Sequence, residues 1–104
     1  MEGFSMTTFQ ERERAFEAKF AHDEEFRFLV LARRDKLFAR WAAERLGMSG
    51  QDEAGLIASV LAIRNGPGHD EAVLGRIADA FASRGAGVSR PELATALDHC
   101  AAQA

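Results

Sequence analysis

The chain is poor in the residues that build strands and cross-links. It has one cysteine, two prolines and no tyrosine, and β-branched and aromatic residues never form a strand-like run. The single thiol, Cys100, excludes a disulfide within the chain, which fits a reducing compartment. Because alanine is abundant and strand patterns are missing, the sequence predicts an all-α protein. Its 104 residues suit one domain with a small core.

Further absences exclude several classes of function. No window approaches the roughly eighteen consecutive apolar residues of a membrane span, and the N-terminus lacks the regions of a secretory signal. Residues 1–50 carry nine basic and nine acidic residues, and residues 51–104 carry four and seven. Neither half has the positive charge of a general nucleic-acid binder. No Walker-type loop, HExxH or CxxC spacing occurs, and Cys100 lies on an apolar stripe, which indicates a buried hydrophobe.

Residues 1–22 are predicted to form an arm, with residues 1–5 as an extra leader before Met6. The sequence Thr8-Phe9-Gln10-Glu11 matches a capping box and predicts a helix start at Thr8. Phe9, Phe16 and Phe20 recur along one helical stripe among charged residues. The three rings suit recognition of an external groove by a helix, but they suit equally a fifth element folded onto the rest of the protein.

Residues 23–104 are predicted to form a four-helix bundle. The acidic run at 23–25 is either the start of its first helix or the interior of one long helix from Thr8. Apolar positions between residues 26 and 46 form two lines, which predicts a central helix packed on two sides and ended by Gly47. The lines consist of Phe26, Leu29, Val30, Leu37 and Trp41, and of Phe28, Leu31, Phe38, Ala42 and Leu46.

Three further helices are expected after Gly50. The first begins near residues 49–52 and ends at the break at 64–68. The next spans about 69–84 and ends at Gly85 and Gly87, and the last begins at a capping box, Ser89-Arg90-Pro91-Glu92. Their predicted buried positions are Leu56, Val60, Ile63, Val73, Leu74, Ile77, Ala78, Phe81, Leu93, Leu97, Cys100 and Ala101.

A basic cluster lies in the middle of the predicted central helix, where Arg33-Arg34-Asp35-Lys36 is followed by Arg40 and Trp41. Guanidinium groups bind phosphate oxygens, and an aromatic ring can stack on a base. Alternatively, the long basic side chains edge the bundle and pair with acidic residues of other helices. The residues alone favour the second interpretation.

Two long runs resemble a known family. The segments MTTFQERERAFEAKFAHDEEFRF and ARRDKLFARWAAERLGMSG are similar to the zeta subunit, the small inhibitor protein of the bacterial F-type ATP synthase. Shorter similarities follow at residues 70–74 and 84–89. The chain departs from the family pattern at Asp35, at Phe38, at Ala39-Arg40 and throughout residues 51–69.

The resemblance implies a non-enzymatic regulator: a four-helix bundle with an N-terminal arm that is helical or partly disordered. In this family the arm inserts into the catalytic head of the synthase, at the junction of the alpha, beta and gamma subunits, and blocks ATP hydrolysis. The corresponding contact residues here are Phe9, Arg12, Phe16, Lys19 and Phe20.

The resemblance also implies a purine nucleotide, ADP or ATP, as a ligand of the bundle, with Arg33, Arg34, Lys36 and Trp41 as the binding residues. No cofactor is expected to be required, and the wide spacing of the three histidines and the single cysteine predicts no metal site. The expected location is cytoplasmic, peripheral to the membrane-bound synthase. Two alternatives stay open: a sensor whose main activity is binding ADP or ATP, and a diverged paralogue without inhibitory activity.

Overall fold

The computed structural model describes the backbone of residues 3–104 and the side chains of residues 23–104. Its elements are the helices α1 (Gly3–Arg45), α2 (Gly50–Leu61), α3 (His69–Ser83) and α4 (Arg90–Gln103), and residues 3–104 contain no strand. The predicted all-α class and four-helix architecture are therefore confirmed. In the described part of the chain, no helix is both long and apolar enough to span a bilayer.

The first helix is continuous from Gly3 to Arg45. It begins five residues before Thr8, so the predicted helix start at Thr8 is wrong, and the acidic run at 23–25 lies inside the helix. The predicted contact side chains of the arm, Phe9, Arg12, Phe16, Lys19 and Phe20, lie outside the described side chains. The division into an arm of residues 1–22 and a bundle of residues 23–104 stays a prediction.

Two glycines end helices as their positions predicted. Gly47 has a φ of 68°, a left-handed value that glycine adopts without steric cost, and the amide of Met48 donates to the carbonyl of Ala43 at 2.8 Å. Gly85 has a φ of 69°, and the next amide donates to the carbonyl of Phe81 at 2.9 Å. These bonds satisfy carbonyl groups that the ends of α1 and α3 would otherwise leave unpaired.

The predicted start of α4, with Ser89 as its N-cap, is also confirmed. The Ser89 hydroxyl accepts a hydrogen bond from the Glu92 amide at 3.3 Å, and Pro91 lies in the first turn, where its missing amide costs nothing. Ser49 precedes α2 but makes no capping hydrogen bond through its side chain. The start of α2 therefore depends on packing more than on its cap.

The core surrounds the C-terminal end of α1, residues 34–45. This helix contacts α2, α3 and α4, whereas α2 and α4 do not contact each other within the described residues and so lie on its two sides. The prediction of a central helix packed from two sides is thus confirmed. The buried apolar residues are Phe38, Ala39, Ala42, Ala43, Leu56, Val60, Val73, Leu74, Ile77, Ala80, Phe81, Leu93, Leu97 and Cys100.

The core prediction was wrong for the preceding part of α1. Phe26, Phe28 and Leu29 are 60%, 52% and 69% exposed, and no residue from 23 to 33 is buried. The reason is geometric. α1 has 43 residues and is about 65 Å long, whereas α2, α3 and α4, with 12, 15 and 14 residues, are about 18 to 23 Å long. The short helices cover only one end of α1. Ala101 was also predicted to be buried and is exposed.

Candidate functional site

The basic cluster of α1 is divided between two sides of the helix. Arg33, Lys36 and Arg40 are exposed and, together with Leu37 and Leu61, line an open groove of about 390 Å³. Among the described side chains, no carboxylate forms an ion pair with these three cations. The groove therefore presents positive charge to solvent beside an apolar strip.

Arg34 points the other way, into a polar network. Its Nε and Nη2 donate to Oδ1 of the neighbouring Asp35 at 3.0 and 2.9 Å, and Nη2 also donates to Oδ1 of Asp70 at 2.7 Å. Arg34 and Asp35 are only 8% and 3% exposed. For Arg34, the interpretation that basic side chains pair with acidic residues of other helices is correct.

His69, the first residue of α3, completes this network. Its Nε2 lies 2.7 Å from Oδ2 of Asp35, and its Nδ1 lies 3.0 Å from the carbonyl oxygen of Arg64. The ring is buried, with 8% exposure. The four side chains Arg34, Asp35, His69 and Asp70 thus join α1 to the start of α3. No buried polar side-chain atom is left without a partner among the described residues, as folding requires.

The network changes the pKa of its members. Burial lowers the pKa of His69, but the hydrogen bonds to Asp35 and to the Arg64 carbonyl, with the charges of Asp35 and Asp70, outweigh burial and raise it above its ordinary value. The hydrogen bond from Arg34 lowers the pKa of Asp70, although partial burial opposes that effect. The raised pKa of His69 and the lowered pKa of Asp70 both favour the charged forms of these side chains in the folded protein.

Trp41 lies in a different groove, between α1 and α4. Its ring stacks on Phe38 at 5.7 Å between centroids and meets Phe81 at 6.0 Å, while the Arg45 guanidinium sits 5.1 Å from the Trp41 ring centre. The groove has a volume of about 490 Å³, and Cys100 lies in its wall. Burial raises the pKa of the Cys100 thiol, so this cysteine is a poor nucleophile, as expected of a core residue.

The structure therefore does not bring the four predicted nucleotide-binding residues together. Arg33 and Lys36 share the exposed groove, Arg34 is bound within the buried network, and Trp41 lines the groove beside α4. Their role as ligand-binding residues stays a prediction. Within residues 23–104, no group of three histidine, cysteine or acidic side chains is arranged to hold a metal ion.

The sequence did not predict the role of His69. Asp35 and His69 are 34 positions apart, and no motif connects them. One local signal was available. Asp35 lies three and four residues before Phe38 and Ala39, so helical periodicity places its carboxylate on the buried side of α1. A buried carboxylate requires partners, which in this protein are Arg34 and His69.

The observed fold is that of a small helical protein whose longest helix extends past its core. A family model for ATPase inhibitor subunit zeta matches residues 6–104. The match covers nearly the whole chain, so the protein belongs to the ATPase inhibitor subunit zeta family. Comparison with curated proteins finds no significant match, and comparison with solved structures finds none either.

Proposed function

We propose that the protein inhibits ATP hydrolysis by the F-type ATP synthase, and that residues 7–20 do so by inserting into the catalytic head. The observation that carries the proposal is the family match, which includes both the arm and the bundle in residues 6–104. The target is the junction of the alpha, beta and gamma subunits, where an inserted helix blocks rotation in the hydrolytic direction. The protein acts without catalysis and without a cofactor, in the cytoplasm at the periphery of the synthase.

The geometry of α1 supports this role. Residues 34–45 of α1 are fixed by the core, while residues 23–33 carry exposed side chains such as Phe26 and Leu29. A helix anchored at one end can present its other end to a cleft without unfolding the bundle. Each arm phenylalanine buried in that cleft contributes roughly 1.5–3 kcal/mol before the cost of ordering is subtracted.

Removal of the arm is the direct test. A chain that begins at Asp23 is expected to keep its fold, because every buried residue of the described chain lies at or beyond Arg34. It is expected to lose inhibition of the purified catalytic head in an ATPase assay. In the full chain, replacing Phe9, Phe16 and Phe20 with alanine is expected to weaken inhibition by at least about a hundredfold.

A matched control replaces Gln10, Glu13 and Glu17 with alanine, which changes the same segment but leaves the rings. This variant is expected to inhibit as the unchanged chain does. Equal inhibition by the full chain and by the chain starting at Asp23 would remove the arm from the mechanism. A full chain without any inhibitory effect would instead support the diverged paralogue.

A second candidate function is the binding of ADP or ATP on the bundle. The observation that favours it is the exposed groove of Arg33, Lys36 and Arg40, whose cations pair with no carboxylate among the described residues. Guanidinium and ammonium groups there suit a polyphosphate. In this arrangement Arg34 stabilises α1 through the buried network, and Trp41 lies in the other groove, beside α4.

Nucleotide binding is tested by titrating ATP while amide signals are recorded by NMR. We expect shifts concentrated at residues 32–40 and at Leu61, with at least a tenfold weaker affinity when Arg33 and Lys36 are both replaced by alanine. Arg90→Ala, which removes an exposed arginine of α4, is the control and is expected to leave binding unchanged. Shifts centred on Trp41 that survive the double substitution would place the nucleotide in the other groove.

A further inference from the structure

The His69 ring is held between two hydrogen-bond acceptors. Nδ1 faces the carbonyl oxygen of Arg64 at 3.0 Å, and Nε2 faces Oδ2 of Asp35 at 2.7 Å. A carbonyl oxygen only accepts hydrogen bonds. As a carboxylate, Asp35 offers only acceptors, and its other oxygen accepts two N–H groups of Arg34. A neutral imidazole has one N–H and can satisfy one of the two acceptors, whereas an imidazolium satisfies both.

We propose that His69 is held as an imidazolium and acts as a pH-operated latch, which fastens the connection of residues 62–68 and the first turn of α3 to α1. The latch opens as the pH rises and the ring loses its second proton. The proposal goes beyond inhibition of the synthase and does not depend on it, because it rests only on contacts within the bundle.

The charges around the ring are consistent with a cation at this position. α1 contributes the Asp35 carboxylate and the Arg34 guanidinium, α3 contributes the Asp70 carboxylate, and the connection contributes the carbonyl and the exposed guanidinium of Arg64. The bonded network of Arg34, Asp35, His69 and Asp70 is neutral when His69 is charged. When His69 is neutral, the network has an unbalanced negative charge and Asp35 is almost fully buried.

The connection fastened by the latch lies beside α1. Its residues Asn65 and Gly66 line a groove of about 280 Å³ together with four residues of α1, which are the apolar Phe28 and Leu31 and the charged Glu24 and Arg27. The amide of His69 also donates to the carbonyl of Gly66 at 3.1 Å, which joins the latch to this groove. Opening the latch releases the connection and enlarges the exposed apolar surface around Phe28.

The direction of the pH effect follows from the direction of the pKa shift. The pKa of His69 is raised in the folded protein above the ordinary value of 6.5. The stabilisation is therefore fully present below about 6.5 and is lost as the pH rises through the folded-state pKa. The latch is closed below about pH 6.5 and opens as the pH rises through the raised pKa of His69.

The proposal is tested on the full chain by NMR titration of the ring nitrogens of His69. Both nitrogens are expected to show imidazolium shifts at pH 6.5, and the midpoint is expected above that value. Amide exchange at His69 and Ala72, compared with core amides of α4 in the same sample, is expected to accelerate once the ring is neutral. A midpoint at or below 6.5, or a single neutral tautomer at that pH, would overturn the latch.

Substitution of His69 distinguishes the titration of its ring from other effects of pH on stability. His69→Gln keeps a polar side chain but cannot become charged, so its stability in urea is expected to lose the decline that the unchanged chain shows above pH 6.5. His99→Gln is the control, since it makes the same exchange at an exposed histidine of α4, and it is expected to keep the decline. Because the ring titration uses the unchanged chain, it decides the proposal even if His69→Gln folds poorly.

Discussion

Replacing Phe38 with alanine is expected to reduce the free energy of unfolding by about 3–5 kcal/mol, which is the usual cost of removing a buried aromatic side chain from a core. Phe38 is fully buried where α1 meets its neighbours, and its ring stacks on Trp41. Small domains are stable by only about 5–15 kcal/mol, so the substitution removes a large share of the total. Urea unfolding followed by circular dichroism measures the loss.

The chain offers a matched control on the same helix. Phe28 lies ten residues earlier and is 52% exposed, so Phe28→Ala deletes the same atoms where they contribute little to the core. Its expected cost is below about 1 kcal/mol. If the two substitutions destabilise the protein equally, α1 is packed as firmly around Phe28 as around Phe38, and the described burial along this helix is wrong.

The contrast between Phe28 and Phe38 shows how far helical periodicity predicts structure. The ends of α1 and α3 and the start of α4 were predicted correctly because Gly47, Gly85 and the Ser89 N-cap act locally, through one φ angle or one hydrogen bond. The burial of Phe28 depends instead on whether another helix reaches it. Whether one does is decided by the lengths of α2, α3 and α4, and these cannot be predicted from the apolar pattern of α1.

The buried network of Arg34, Asp35, His69 and Asp70 could not be predicted from the sequence, for a related reason. Its members come from separate parts of the chain, and each has an ordinary explanation alone: Asp70 as an acidic residue in the first turn of a helix, and Arg34 as one of several cations. The structure brings Asp35 into contact with His69, although 34 positions separate them in the sequence.

The proposed function was inferred from the family match and not from the structure of the bundle. The proposed role of the arm rests on the family to which the chain belongs, and the contacts of the bundle do not specify a partner. What the bundle adds is mechanical: one end of α1 is fixed by a core that contains Phe38 and by a charged network at Arg34 and Asp35. A helix fixed in this way can resist force applied at its other end, as the proposed inhibition of a rotary enzyme requires.

Asp35→Ala is expected to destabilise the protein by about 3–5 kcal/mol, because it removes one partner of a buried ion pair and leaves the other charges uncompensated. Asp35 is 3% exposed and bonds both Arg34 and His69. After its removal, Arg34 keeps only Asp70, which is largely exposed, and His69 keeps only the carbonyl of Arg64. Urea unfolding at pH 6 measures the loss, with Asp79→Asn, at an exposed acid of α3, as the control.

Asp35→Asn removes the charge of the side chain but keeps its shape, so it separates these two contributions to stability. The amide oxygen of asparagine can still accept from Arg34, but its amino group faces Nε2 of His69 and requires a lone pair there, which only the neutral ring provides. We expect a smaller loss, about 1–3 kcal/mol, and a reversed pH dependence, with stability rising between pH 5.5 and 8.5 as the ring becomes neutral. If Asp35→Asn keeps the decline of the unchanged chain over this range, the charge on Asp35 does not control the protonation of His69.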